Sequence, residues 1–181
     1  MSPSDIAQLI LQRFGPHAVT ASSLDTLHPW IAVPAAHWLE IAAFLRNDHQ
    51  LQFDLLRCLT GLDYPDRRQL CAAYDLLSFD LGHELCIKVS VPRDHPEIPS
   101  VAHLWRAADW HERETFDLLG IRFTNHPDSV TDHLGTHPRR ILLPDDWVGH
   151  PLRKDYAFPR EYHGIPGSVE LDWAQKSDYP K

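Results

Sequence analysis

The sequence predicts an α+β fold: a small antiparallel sheet with flanking helices and a long extended C-terminal tail. Three observations predict it. Three strand-like runs follow one another between residues 51 and 91 with no alternating strand–helix order. Helical periodicity lies before and after them. Seven of the 15 prolines fall after residue 123, where neither a period of 2 nor one of 3.6 is sustained. The expected division is residues 1–120 as the α+β domain and residues 121–181 as an extended segment packing on a partner.

The elements follow in order. Ser4 reads as an N-cap, with Ile6, Leu9 and Ile10 at helical spacing and Gly15 as the stop. "AVTASSL" reads as extended. Pro34 opens a second helix with Trp38, Ile41, Ala42 and Leu45 on one face. The first strand run is "LQFDLLRCLT", ended by Gly61 and Pro65, and the second is "QLCAAYDLLSFD". The third is "ELCIKVSV", in which Leu85, Ile87, Val89 and Val91 alternate with Cys86, Lys88 and Ser90. The polar turn "DLGHE" should close the last two into a hairpin. "PRDHPEIPS" reads as a loop. Ser100 then caps a third helix over residues 101–119, with Gly120 as its stop.

Composition excludes several functions. The chain has 181 residues and a net charge of −8, which argues against nucleic acid as a partner, because phosphate neutralisation needs a basic face. No apolar run is long enough to cross a bilayer, and no basic stretch precedes the apolar part of the N-terminus, so a cytosolic protein able to dock on a membrane complex is expected. Cys58, Cys71 and Cys86 form no C-x-x-C and read as buried thiols rather than an iron–sulfur or zinc framework. With 8 glycines and neither G-x-G-x-x-G nor G-x-x-x-x-G-K, no nucleotide loop is evident. The serine-hydrolase elbow G-x-S-x-G is also missing.

The third helix carries the densest chemistry. On a helical wheel Val101, Trp105, Ala108, Glu112, Thr115 and Leu119 share one stripe, so Glu112 lies in the middle of an apolar face. A buried carboxylate needs a cation or several donors. The structural expectation is a buried ion-pair node tying the helix to Arg139, Arg140, Arg153 or Lys154; the functional one is a general acid or base with a raised pKa. Arg113, Glu114, Asp117 and Trp110 are expected on the solvated sides and back.

The tail cannot build its own core, yet Phe123, Ile141, Leu142, Leu143, Trp147, Leu152, Tyr156 and Phe158 make it too apolar for disorder. Order against a partner surface is the expectation. Eight of the 13 histidines lie at or after His95. His126, His133, His137, His150 and His163 form no recognised ligand spacing, and a metal-dependent enzyme using this His-rich tail is kept as a reading of another class.

"ERETFDLLGIRFTNHPD" followed by "RRILLPDDWVGHPLRKDY" resembles the signature of the C subunit of proton-pumping NADH:quinone oxidoreductase, respiratory complex I. "LTGLDYP" and "YDLLSF" extend the resemblance over roughly residues 35 to 160. The resemblance implies an α+β domain whose C-terminal extension lies along the neighbouring, quinone-proximal D subunit. It places the chain at the cytoplasmic face of the cell membrane, touching the membrane only through the complex. It implies no cofactor, metal or catalytic residue in this chain, with FMN and Fe–S clusters in partner subunits passing electrons from NADH to quinone. The sequence ends soon after "REYHGIPG", without the long fusion to the D subunit found in some bacterial members of the family, so the D subunit is expected as a separate chain.

Carried over by position, the matching structural and interface residues are Glu112, Arg113, Glu114, Asp117 and Gly120 in the helix, and Asn125, His126, Pro127 and Asp128 in the turn. Further on they are Arg139, Arg140, Ile141 and Leu142, then Gly149, Pro151, Arg153, Lys154 and Asp155. One departure is the polar insertion "SVTDHLGTHP", residues 129–138, read as a surface loop that sets Arg139 and Arg140 further along the chain from Glu112. The equivalent subunit of a membrane-bound energy-converting hydrogenase shares the fold and stands as the alternative.

Overall fold

The computed structural model describes residues 1–159 and 161–166. Helix α1 (Pro3–Phe14) has its cap two residues earlier than expected. Ser2, not Ser4, is the N-cap: its Oγ accepts from the Asp5 amide at 3.2 Å while the Asp5 carboxylate accepts from the Ser2 amide at 3.1 Å. Two orphan donors of the first turn are thereby satisfied reciprocally, and Pro3 needs no donor of its own at the first helical position.

Strands β1 (Ala21–Ser23) and β2 (Trp30–Pro34) lead into α2 (Ala35–Asn47). Of the three long strands, β4 (Gln69–Leu77) and β5 (Glu84–Pro92) stand where the sequence runs put them, whereas β3 (Leu55–Tyr64) begins four residues after its expected run and continues four residues past it. The sheet order is β1-β2-β5-β4-β3. Neighbours pair antiparallel except β2 and β5, which run parallel from Trp30↔Cys86 to Pro34↔Ser90. The α+β class holds, and the sheet is mixed rather than wholly antiparallel. The strand "WIAVP" escapes a pattern reading because it is only five residues long, fuses directly to a helix, and finds its partner more than fifty residues away.

The alternation in β5 is borne out, with Leu85, Ile87, Val89 and Val91 all buried. So is the helical face of Trp38, Ile41, Ala42 and Leu45, each fully buried. The Trp38 and Tyr74 rings meet at 4.4 Å between centroids and join helix to sheet. Gly61 is not a strand end. It lies inside β3, where a Cβ would collide with the Leu119 side chain of the third helix, so its bareness lets the helix approach the strand.

That helix, α3, spans Ala107–Leu119 and not 101–119. The residues ahead of it fold as a turn, with Leu104 and Trp105 amides both bonding the Val101 carbonyl. Short strands β6 (Glu97–Pro99) and β7 (Arg122–Thr124) flank the helix and pair parallel. This is a small strand–helix–strand crossover, and three-residue strands are too short to show a period in the sequence. Ile121 and Phe123 belong to the core cluster, so the packed body runs past residue 120. Gly120 ends the helix as expected, with φ +80.

The insertion after Asp128 folds as a hairpin of β8 (Ser129–Asp132) and β9 (Gly135–Pro138). It closes on itself: the Arg139 amide bonds the Asp128 carbonyl at 2.9 Å. The hairpin therefore leaves Arg139 and Arg140 beside α3 instead of carrying them away. Strands β10 (Glu161–Tyr162) and β11 (Ile165–Pro166) form the last described pair.

Candidate functional site

Most of the residues singled out by the sequence converge on α3 and on the chain that returns over it. Asp117, expected on a solvated side, is fully buried and is the hub. Its Oδ1 accepts from Arg140 Nη1 at 2.7 Å. Its Oδ2 accepts from three successive backbone amides, Ile141 at 3.2 Å, Leu142 at 2.8 Å and Leu143 at 2.8 Å. The guanidinium and the nest of amides satisfy both oxygens of the buried carboxylate. Arg140, itself buried, passes the connection on by donating to the carbonyls of Trp147 and Gly149.

Arg113 works one turn earlier. Its guanidinium donates to the carbonyls of Arg139 at 3.1 Å and Arg140 at 3.2 Å, and lies 3.6 Å from the Asp128 carboxylate. Arg139 Nε reaches the same Asp128 at 3.1 Å. The charged side chains at positions 113 and 117 thus hold the segment that follows the hairpin.

The last carbonyls of α3 have no partner within the helix. The tail supplies them. His150 Nδ1–H donates to Asp117 O at 3.0 Å, the Leu152 amide to Leu118 O at 3.0 Å, and Arg153 Nε to Leu119 O at 2.8 Å. Arg153 also sets a cation at the negative end of the helix dipole. His150 and Arg153 lie so close over Gly120 that a Cβ there would stand 2.5 Å and 2.8 Å from them. Burial, then the nearby Arg153 and Arg140 charges, push the His150 pKa down to about 4, so the ring is neutral in its capping role.

A second clamp ties the tail to the sheet. Arg93 grips Asp63 with two bonds of 2.9 Å and reaches Asp155 at 2.8 Å, while the Lys154 amide donates to Asp63 at 2.9 Å. Hydrogen bonds from Arg93 hold the Asp155 carboxyl down at about 2. Sequence reasoning missed both Asp63 and Arg93. Arg93 lies 30 residues from Asp63 and 62 from Asp155 in the chain, so no local pattern marks the clamp.

Glu112 is fully buried, as the wheel predicts, but it is not the ion-pair node. None of Arg139, Arg140, Arg153 or Lys154 pairs with it. Its partners are the Ser100 hydroxyl at 2.6 Å and the Val101 amide at 2.8 Å. Ser100 therefore turns inward to Glu112 instead of capping the helix. His126 Nε2 stands 3.8 Å from the same carboxyl, but it donates to the Asp109 carbonyl at 3.1 Å while its Nδ1 accepts from the Asp128 amide at 3.1 Å. With no cation at hand, burial raises the Glu112 pKa to about 8. The expectation of a raised pKa is met, yet a fully buried group gives a substrate no approach.

The other signature positions are quieter. Glu114 is half exposed and lies 4.0 Å from His111. Asn125 takes a left-handed conformation with φ 60, which turns the chain into the exposed Pro127. Gly149, with φ +82, has Tyr156 so near that a Cβ would meet its ring at 2.8 Å. Pro151 is half-buried and Lys154 exposed. The histidines do not gather: His137 stacks on Phe116 at 4.4 Å, His150 caps α3, and His133 is exposed. Among the described residues no group of three His, Cys, Asp or Glu side chains is placed to hold a metal ion.

The tail, expected to lean on a partner, is ordered first of all against its own helix. Its apolar side chains turn outward: Leu142, Val148, Leu152, Phe158 and Ile165 are all more than half exposed. This geometry ties a mixed sheet, a helix and a long irregular segment to one another.

This fold has counterparts among solved structures. The structure resembles the trypsin-resistant fragment (1-134) of Nqo5, with a TM-score of 0.57, 27% identity, and coverage of 68% of this chain and 98% of that one. At 22% identity and the same TM-score it shares the fold of a chain of the membrane-bound sulfane sulfur reductase, an archaeal respiratory membrane complex, covering 73% of this chain and 78% of that one. The chain belongs to the family of the respiratory-chain NADH dehydrogenase 30 Kd subunit, whose match spans residues 31–162. It is 43% identical over 166 residues to the C subunit of the NADH-quinone oxidoreductase of Chloroherpeton thalassium, covering 90% of this chain and 65% of that relative's length. No helix among the described residues is long and apolar enough to cross a membrane.

Proposed function

We propose that this chain is a structural component of the peripheral arm of proton-translocating NADH:quinone oxidoreductase, bracing the D subunit next to the quinone site. The observation that carries the proposal is the family match across residues 31–162, which contains the sheet from Ile31 onward and the whole joint on α3. In this reading electrons pass from NADH through FMN and Fe–S clusters in other subunits to quinone. The chain itself supplies no catalytic residue and no cofactor, and it meets the cytoplasmic face of the membrane only through its partners. The segment that packs on the quinone-proximal neighbour begins after Phe123; residues 160 and 167–181 of the expected 121–181 stretch lie outside the described residues. Support comes from the joint, which anchors that segment by its polar side and leaves Leu142, Val148, Leu152 and Phe158 facing outward.

The test is recovery of the chain from its native membranes, with the co-purifying proteins identified and NADH:quinone activity assayed. A quinone-proximal partner subunit together with NADH oxidation is the expected result; recovery of the chain alone sinks the proposal. The fold shared with the sulfane sulfur reductase chain supports a second reading, the equivalent subunit of a related membrane-bound complex such as an energy-converting hydrogenase. A hydrogenase large subunit in the same preparation would decide for it.

A further inference from the structure

Strands β2 and β5 run parallel and β4 runs against β5, so the turn before β2 (residues 24–29) and the turn before β5 (residues 78–83) emerge at one end of the sheet. The stretch before β3 (residues 48–54) joins them there. Arg93, which clamps the tail, follows β5 at the other end; the nine residues of that strand set the two ends about 27 Å apart. Leu27, Phe79 and Leu81 stand on the two turns and are 87%, 68% and 42% exposed. The turns lie two strand spacings from each other, about 10 Å. Neither needs these side chains to hold its shape. The Ser78 amide bonds the His83 carbonyl and the Gly82 amide the Ser78 carbonyl, each at 3.0 Å. The Phe79 amide bonds the Asp54 carboxylate at 3.0 Å, and the Leu81 amide the Ser78 hydroxyl at 3.3 Å. In the other turn the Thr26 hydroxyl donates to the His28 carbonyl at 3.0 Å. Polar groups fix the backbone while the apolar side chains face solvent, so binding through them carries little ordering cost.

The charge at this end is one-sided. The three stretches and Glu84 beside them hold Asp25, Asp48, Asp54 and Asp80, and no lysine or arginine. Four cations flank them. Arg57 bridges Glu84 and Asp75, Lys88 lies over the Trp30 ring, and Arg13 and Arg46 belong to the helix ends near Asp48, where Glu40 also lies. Seven carboxylates therefore stand against four cations. Burial pushes the His83 pKa down, so that ring adds no charge at neutral pH.

We propose that Leu27, Phe79 and Leu81 form a second docking surface, seated in an apolar depression of a neighbouring protein whose rim carries lysine or arginine. Burial of the apolar tips drives the seating. The acids around them select a basic rim. The same acids oppose entry into a membrane of anionic lipid, and two copies of this end would repel one another. The proposal rests on the reading that the chain works inside an assembly, and is independent of which subunit the tail meets.

The experiment replaces Phe79 by the photo-crosslinker p-benzoylphenylalanine, which keeps an aromatic ring at the tip. The same probe in place of Val148, 84% exposed on the tail, is the reference. Native membranes are irradiated at low and at high salt, and the links are mapped to peptides. Position 79 should link to a peptide of another protein with lysine or arginine within a few residues of the linked site. The yield should fall as salt rises, and fall about tenfold when Asp25→Lys and Asp80→Lys are combined. Both of those side chains are exposed, so the melting temperature of the chain should stay unchanged. No protein linked to position 79 overturns the docking surface; if position 148 still links to a quinone-proximal neighbour, the function proposed above stands. A link to lipid or to a second copy of this chain overturns it as well. So does a yield indifferent to salt and to the charge reversals. The expected link from position 79, with none from position 148, upholds this surface and sinks the assignment of the tail.

Discussion

Two buried carboxylates sit five residues apart on the same helix, and they are held in opposite ways. Asp117 receives a guanidinium and three amides. Glu112 receives one hydroxyl and one amide, with no cation. Both are fully buried, so burial does not distinguish them. What differs is the origin of the donors. Those of Asp117 come from the returning tail, so that charge is an attachment point. Those of Glu112 come from residues 100 and 101, just ahead of the helix, so that carboxyl is a local fastening of the body. The chain uses an ion pair with a nest of amides where two distant segments must be held, and a hydroxyl with a single amide where one segment must be pinned to its neighbour.

The comparison can be broken most sharply at Asp117. Asp117→Ala leaves Arg140 buried without its partner and three amides unsatisfied. It should lower stability by about 3–5 kcal/mol, read as a fall in the denaturant midpoint of the full chain. A loss of less than about 1 kcal/mol would mean that the tail is not anchored there. The Ser100 pairing of Glu112, by contrast, can be made in either protonation state, because the hydroxyl can donate or accept.

Glu112 should show itself through pH. A carboxyl whose folded pKa is about 8, against an ordinary 4.5, binds its proton more tightly in the folded chain. Its contribution is complete below about 4.5 and is lost as pH rises through about 8, a decline on the order of 4 kcal/mol. Glu112→Gln should cost about 1 kcal/mol or less at neutral pH and flatten that decline. A decline that persists unchanged in the variant would assign it to another group. His150, with its lowered pKa, works in the other direction: its share is present above the ordinary 6.5 and is lost as pH falls toward about 4.

The smallest effect belongs to Glu114, which touches neither system. Glu114→Ala should change the stability of the isolated chain by less than about 1 kcal/mol. If recovery of the complex from membranes falls while the melting temperature of the chain does not, Glu114 is an interface residue.

Much of this arrangement is legible in the sequence. The period-2 run of Leu85, Ile87, Val89 and Val91 and the helical face of Trp38, Ile41, Ala42 and Leu45 announce their buried sides, because burial imposes its period locally. Glu112 on an apolar stripe announces a buried acid, and the charged, glycine- and proline-marked positions from 112 to 155 announce the joint. Asp117 is misplaced by the wheel because a wheel knows only the helix it is drawn on. The tail that buries its far side arrives after residue 139. The same blindness hides β2, whose parallel partner is β5, and the Asp63–Arg93–Asp155 clamp.

The sequence by itself determined the α+β class, the identity of the long elements, the buried position of Glu112 and the membership of the chain in its family. Those follow from periodicities and fixed spacings that any short window contains. Only the tertiary structure decided which acid is cradled by the returning tail and which is fastened by its own neighbours, and that the hairpin at 129–138 returns the chain to its path. Such outcomes depend on what groups far apart in the chain bring within about 3 Å of one another, the distance at which donors and charges decide a buried group's state.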